Sequence, residues 1–145
     1  MFRTMLAVTA IAVGITAVAA QSDPIAARKQ HMKDVGAQTK TGAGMAKGEV
    51  PYDQAKAQGI FSAYVTAGEK LPELFPETSK TGGDTAALPA IWASMADFRA
   101  KAAKFVEDSK AALSSVKDLD SFKAAFPGVT KNCGGCHETY RAKKS

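Results

Sequence analysis

The segment Cys133-Gly134-Gly135-Cys136-His137 sets two thiols and an imidazole at i, i+3 and i+4. On a helix those positions share one face. Two thiols at that spacing can add to the two vinyl groups of one haem as thioethers, and the histidine one residue later reaches the iron from the same side. Cys-x-x-Cys-His is the attachment signature of a c-type haem. It is specific, because three uncommon residue types must coincide at fixed spacing. Other readings of the two cysteines are weaker. A redox dithiol needs a strand before its helix, and no strand pattern precedes Cys133. Half a zinc site needs a second ligand pair, and the chain holds only two Cys and two His. A disulfide across i, i+3 of a helix is geometrically disfavoured. Cys133 and Cys136 are therefore candidate thioether sites for one haem c, and His137 is the candidate proximal ligand. Two glycines in one helical turn cost roughly 1 kcal/mol each against alanine, a penalty that tethering and ligation can offset. Tyr140 and Arg141, three and four residues after His137, fall on or beside the haem-facing stripe and are candidate haem-binding residues. Their plainer roles are core packing and a solvated terminus.

The sixth iron position decides what such a centre does. Methionine there favours electron transfer and a raised potential; an open or guarded position lets the iron bind a gas. His31 is the only other histidine, and Met32 follows it. Adjacent helix residues point about 100° apart, so only one can face the haem. Met32 shares a stripe with Ile25, Arg28, Val35 and Thr39. His31 shares its direction with Ala27, Asp34 and Gln38. Met32 is thus expected inward and His31 outward on a polar face. The plainer role of Met32 is core filler, as it is for Met45 and Met95. An enzyme with haem chemistry, such as a peroxidase, would want a distal acid–base group, and the expected outward direction of His31 argues against one.

These residues have to be positioned by a chain of 145 residues, 46% apolar and 23% charged. That is one domain with a real core. Nineteen basic and 14 acidic side chains give +5, a mild excess. It suits an acidic partner but lacks the concentrated basic face of a nucleic-acid binder. Strict apolar–polar alternation is not sustained anywhere, which leaves little β signal. The punctuation divides the chain into four helical segments. Segment A spans about 24 to 47, with Asp23 capping, Pro24 in the first turn, and Gly48 and Pro51 as stops. Segment B spans about 52 to 71, with Ile60, Tyr64, Ala67 and Leu71 on one stripe. A long connection holds Pro72, Pro76, Gly82 and Gly83. Segment C begins at Pro89 and repeats Ile91, Met95, Phe98, Ala102, Phe105, Ser109, Ala112 and Val116 as a bundle seam; Trp92 is a bundle aromatic. Segment D begins near Asp118, turns Leu119, Phe122 and Phe126 inward, and is expected to kink or break at Pro127-Gly128. Together they predict an all-α, antiparallel four-helix bundle, whose interior is where cofactor sites are built.

Residues 1–20 read as a segment apart. Arg3 is followed by an uncharged stretch from Thr4 to Ser22, with an apolar middle and the small-residue exit Ala17-Val18-Ala19-Ala20. That describes a secretory signal, with Gln21 starting the mature domain 21–145 at 18 basic against 14 acidic side chains, or +4. The rival reading, an uncleaved anchor, is weakened by Thr4, Thr9, Gly14 and Thr16 and by the lack of a basic flank. The expected destination is an exported, oxidising space, a periplasm in a Gram-negative cell, with no membrane attachment after cleavage.

Arg28-Lys29-Gln30-His31-Met32, Pro51-Tyr52-Asp53, Leu74-Phe75-Pro76, Ile91-Trp92 and Cys133-Gly134-Gly135-Cys136-His137-Glu138-Thr139-Tyr140-Arg141 resemble class II c-type cytochromes, the cytochrome c prime family. The resemblance covers the whole mature chain. It implies a left-handed four-helix bundle with haem c attached through Cys133 and Cys136 and His137 as proximal ligand. It further implies Met32 at the distal position, Arg28 near a haem propionate and Arg141 close to the proximal histidine. Low-spin members use a distal methionine as sixth ligand and act as electron carriers; high-spin members leave the iron five-coordinate and bind nitric oxide or carbon monoxide. Met32-Lys33-Asp34-Val35-Gly36 and Ala46-Lys47-Gly48-Glu49-Val50-Pro51-Tyr52-Asp53 look closer to the low-spin branch. The implied function is a periplasmic electron carrier, not an enzyme, that meets redox partner proteins; the alternative is a gas-binding protein. Some members of the family dimerise through segments A and B.

Overall fold

Asp23 accepts a hydrogen bond from the Ile25 N–H at 2.8 Å and Pro24 occupies the first turn, so α1 (Pro24–Lys47) starts where the punctuation places it. The computed structural model describes residues 23–143, and the expected signal segment 1–20 lies outside them. Gly48 closes α1 at φ 76°, handing its N–H to the carbonyls of Gly44 and Met45. This left-handed cap is open to glycine at no steric penalty. α2 (Gln54–Lys70) starts two residues later than the expected 52, because Asp53 is itself the cap and its carboxylate accepts from Lys56 N–H at 2.8 Å. Two short 3₁₀ turns follow, Leu71–Leu74 and Glu77–Ser79.

Segment C is not one helix. It forms a single turn, α3 (Ala90–Ala93), then α4 (Met95–Ser115), with Ser94 between them at φ −131°, ψ 46°. The break has a tertiary cause. Trp92 Nε1 donates to the carbonyls of Phe75 and Pro76 at 3.1 and 3.2 Å, holding α3 against the long connection. Segment D differs in the other direction: α5 (Leu119–Tyr140) runs unbroken through Pro127. Pro127 and Lys123 are both exposed, so the carbonyl that proline cannot satisfy lies on a solvated face. Phe126 and Val129 on either side are buried, and Thr130 Oγ1 donates back to the Phe126 carbonyl at 3.0 Å. A capping box between Asp118 and Ser121 opens the helix.

The four long helices close into a ring: α1 packs on α2 and α5, and α4 on α2 and α5. The result is a four-helix bundle. Its interior is divided into two clusters. One gathers Met45, Ile60, Phe61, Tyr64, Ala112, Val116, Phe122, Phe126 and Val129. The other gathers Phe75, Ile91, Trp92, Phe98 and Tyr140. Most of the expected α2 and α4 stripes, Phe122 and Phe126 of α5, and the packing roles of Met45 and Met95 agree with these clusters, whereas Leu119, expected inward, is half-buried and in neither.

α1 meets α5 at Gly42. A Cβ there would fall 2.7 Å from Cζ of Phe126, a ring stacked on Phe122 at 5.1 Å and unable to retreat. Gly42→Ala should therefore lose about 1 kcal/mol of stability, since overpacking of about 1–3 kcal/mol outweighs the roughly 1 kcal/mol of helix propensity gained. Gly128, with open space around it, should gain up to ~1 kcal/mol as Gly128→Ala. Denaturant midpoints measure both, and a stabilised Gly42→Ala would refute the close approach.

Candidate haem-attachment site

The last two turns of α5 carry Cys133, Cys136 and His137 on one helix, as the spacing requires. Both cysteines are free and half-buried, while His137 is exposed. Cβ atoms at Gly134 and Gly135 would meet nothing within 4 Å, so the outer side of this turn is open. Burial raises both thiol pKa values; the charge of Lys101 opposes this at Cys136. Both are therefore thiols near neutrality. Burial lowers the His137 pKa, and the positive charge of Arg141 lowers it further. A neutral imidazole has a lone pair for a metal. Among the described residues no cluster of three His, Cys, Asp or Glu competes as a metal site.

The end of α5 is held firmly. Tyr140 is buried and edge-on to Phe98, ring centroids 5.3 Å apart, and its hydroxyl donates to Asp97 Oδ2. Leu88 N–H donates to the Tyr140 carbonyl at 2.9 Å and Ala142 N–H to the Ala86 carbonyl at 2.8 Å. This forms an isolated antiparallel bridge between Ala87 and Arg141. Tyr140 thus takes the packing role and anchors the helix. The Arg141 side chain is exposed, and its charge reaches His137.

On α1, Arg28 is 4% exposed. Its guanidinium donates to Ser79 Oγ at 2.9 Å, Thr85 Oγ1 at 2.9 Å and the Ser79 carbonyl at 3.3 Å. It also stands over the rings of Phe75 and Trp92, at 4.9 and 5.6 Å. Its Nε is a buried side-chain polar atom without a partner. Ser79, Thr85 and Phe75 were not legible as site residues; the one available signal was a charged residue on an apolar stripe, which must find polar partners when buried.

His31 and Met32 depart from expectation. Met32 keeps its place on the stripe of Arg28, Val35, Thr39, Gly42 and Met45, yet it is 37% exposed. It lies between Arg28, against the second cluster's rings, and Val35, against the first cluster. His31 is not outward: it is half-buried, with Nε2 3.0 Å from the Ala67 carbonyl of α2. Ala67, buried on α2, is where α2 approaches the polar face of α1, through its carbonyl. The groove between them, about 450 Å³, is lined by His31, Gln38, Ser62 and Thr66 and touches no residue of the Cys-x-x-Cys-His segment.

Tyr64 is the interior polar group that the apolar stripe of α2 concealed. Its hydroxyl is hydrogen-bonded to Thr39 at 2.8 Å. Burial pushes its pKa up to about 12, against the Thr39 bond.

Residues 23–141 match the family model for cytochrome c'. The chain belongs to the cytochrome c' family of class II c-type cytochromes. It is 49% identical over 126 residues to a cytochrome c' of Rhodopseudomonas palustris, covering 87% of this chain and 86% of that one. It is 34% identical over 148 residues to a cytochrome c-556 of the same organism, with 99% of each chain covered. A solved structure of R. palustris cytochrome c' superposes with a TM-score of 0.83 at 49% identity, over 86% of this chain and all of that one. The family implies haem c, and the donor set fits it. Two thiols and a neutral imidazole share one helix, and a buried guanidinium keeps one N–H unpaired.

Tyr64 supplies a pH test. A phenol raised from 10.0 to about 12 on folding stabilises fully below pH 10 and progressively loses that contribution as pH rises towards 12. Denaturant midpoints of the holoprotein should fall across that window, by on the order of 2 kcal/mol from this group. Tyr64→Phe should flatten the decline. An equally steep decline in the variant would assign it elsewhere.

Proposed function

We propose that the protein is an exported, periplasmic electron carrier, with one haem c linked to Cys133 and Cys136, His137 as proximal ligand and Met32 as sixth ligand. The observation that carries this reading is Met32: a thioether on the inward stripe of α1, between residues that pack against the two interior clusters, and still 37% exposed. A core-filling methionine at such a position would be packed, as Met45 is at 1%. When bound, the haem supplies reversible one-electron chemistry at its iron. Cys133 and Cys136 fix the ring to α5. The depressed pKa of His137 keeps its lone pair free at neutral pH. Met32 offers a soft, neutral donor, which raises the potential. Arg28 offers its unpaired Nε–H to a propionate, and Arg141 keeps positive charge beside the proximal ring.

Nothing in this assignment needs an acid–base catalyst, and His31 is engaged with the Ala67 carbonyl. The protein then acts as a carrier and not an enzyme. A net positive mature domain suits weak, salt-sensitive encounters with acidic redox partners. Among the described residues no helix is long and apolar enough to cross a membrane, which suits a carrier released after export.

Two experiments test the reading. Denatured protein from cells that assemble c-type haem should retain the group, whereas Cys133→Ser/Cys136→Ser should lose it completely; retention would refute thioether attachment. The purified holoprotein should show low-spin bands, a far-red sulfur-to-iron band and no response to carbon monoxide, and Met32→Leu should remove that band and admit the gas. High-spin bands in the unsubstituted protein, shifting with carbon monoxide, would make Met32 a guard over a gas-binding site.

A further inference from the structure

The connection between α2 and α3 touches both helices that carry the candidate ligands. On α1 it holds Arg28 through Ser79 and Thr85, and Lys29 through Asp84, with Nζ 2.8 Å from Oδ2. Gly83 lies close under Ile25, where a Cβ would come 2.9 Å from Cδ1. On α5 the same connection forms the bridge from Ala86 and Leu88 to Ala142 and Tyr140. Met32 is one turn after Arg28, and His137 is one turn before Arg141. One loop thus fixes each ligand-bearing helix within a turn of its ligand.

Each hydroxyl that receives Arg28 is itself fixed from behind. Ser79 Oγ donates to the Pro76 carbonyl at 2.9 Å, and Thr85 Oγ1 accepts the Ala87 N–H at 3.1 Å. Phe75 and Trp92 complete the seat, and Trp92 is tied to the loop by its own N–H. Among the described residues, the side chains hydrogen-bonded to the guanidinium are the two hydroxyls, with Asp23 acting on it only through its charge. Hydroxyl partners for a buried charge are a poor source of stability compared with an apolar side chain of similar volume. What they supply is direction: a planar donor held at fixed points cannot slide along or rotate about the helix axis.

We infer that Arg28 is a positioning residue: clamped by Ser79 and Thr85, it fixes the height and rotation of the first turns of α1, and the loop thereby sets how firmly Met32 bonds the iron opposite His137. This rests on the proposed His137–Met32 ligation. An axial thioether bond is weak enough that a small change in the population holding it alters access to the iron.

The test compares two changes to the clamp in the holoprotein. Arg28→Met removes the cation and its hydrogen bonds. Ser79→Ala/Thr85→Val leaves the Arg28 cation in place and removes its hydroxyl partners. Both should retain covalent haem and helical circular dichroism. In both, the far-red band should weaken and carbon monoxide should bind the ferrous protein roughly tenfold faster. Lys110→Gln, which breaks an exposed α4–α2 ion pair with Glu69, should change neither. If only Arg28→Met alters the spectrum, Arg28 acts through its charge and the clamp is refuted. An unaltered spectrum in Ser79→Ala/Thr85→Val also refutes it, even where Arg28→Met fails to fold. If the unsubstituted protein already lacks the far-red band and Met32→Leu matches it, the failure lies in the ligation reading, and the inference falls with it.

Discussion

Everything chemical in this protein hangs on one stretch of helix. Cys133, Cys136 and His137 share a face only while α5 remains helical to Tyr140, and α5 is poorly suited to that by composition. Pro127 costs about 3 kcal/mol in a helix interior, and Gly128, Gly134 and Gly135 about 1 kcal/mol each against alanine. The helix persists because it is fixed on both sides of its weak turns. Before the motif, Phe122, Phe126 and Val129 are buried; after it, Tyr140 is buried. Burying each of these large apolar groups contributes on the order of 1.5–3 kcal/mol, comparable to or larger than the propensity loss. The open glycine turn is therefore sustained by its neighbours and not by itself.

The same logic explains why the interior is split. A uniform core of packed aliphatics would hold the bundle but leave no room beside the motif. Here one aromatic cluster sits around Phe61, Phe122 and Phe126 and another around Phe75, Phe98 and Tyr140. Polar atoms are set against both: Tyr64 of the first cluster bonds Thr39, and Arg28 stands over Phe75 and Trp92 of the second. Rings packed edge-on in the second cluster and stacked or tilted in the first resist deformation, so both walls keep their shape.

How much of this was legible depends on whether the signal was local. The Cys133–His137 spacing, the Asp23-Pro24 start and Gly48 stop of α1, and the apolar stripes of α2, α4 and α5 are written in residues one to four positions apart. Such patterns survive folding because the helix that reads them is the helix that forms. The Ser94 break was not legible, because it arises from Trp92 bonding carbonyls 16 and 17 residues away. Of the two outcomes expected at Pro127-Gly128, the break does not occur: local rules predict a disruption, and flanking burial keeps the helix continuous. The His31 error came from judging a face by its own polarity. Asp34 and Gln38 suggested solvent, but the Ala67 carbonyl of α2 comes within hydrogen-bond distance of His31.

Arg28 shows where sequence reading reaches its physical limit. Its place on an apolar stripe was visible, and so was the resemblance that tied it to a cofactor carboxylate. The groups that hold it, Ser79 and Thr85, lie 51 and 57 positions away in a loop with no regular period. A hydroxyl in a loop carries no signal of its own until the chain brings a donor to it. Arg28 also joins two arguments that composition keeps apart. The loop was read as a mere connection between two hairpins, whereas the folded chain uses it as a tie across them. A four-helix bundle needs such a tie if its ligands come from different helices, because helices that meet along apolar seams can shift by fractions of a turn at little energetic cost. Directional bonds at one end remove that freedom, which apolar contact alone does not.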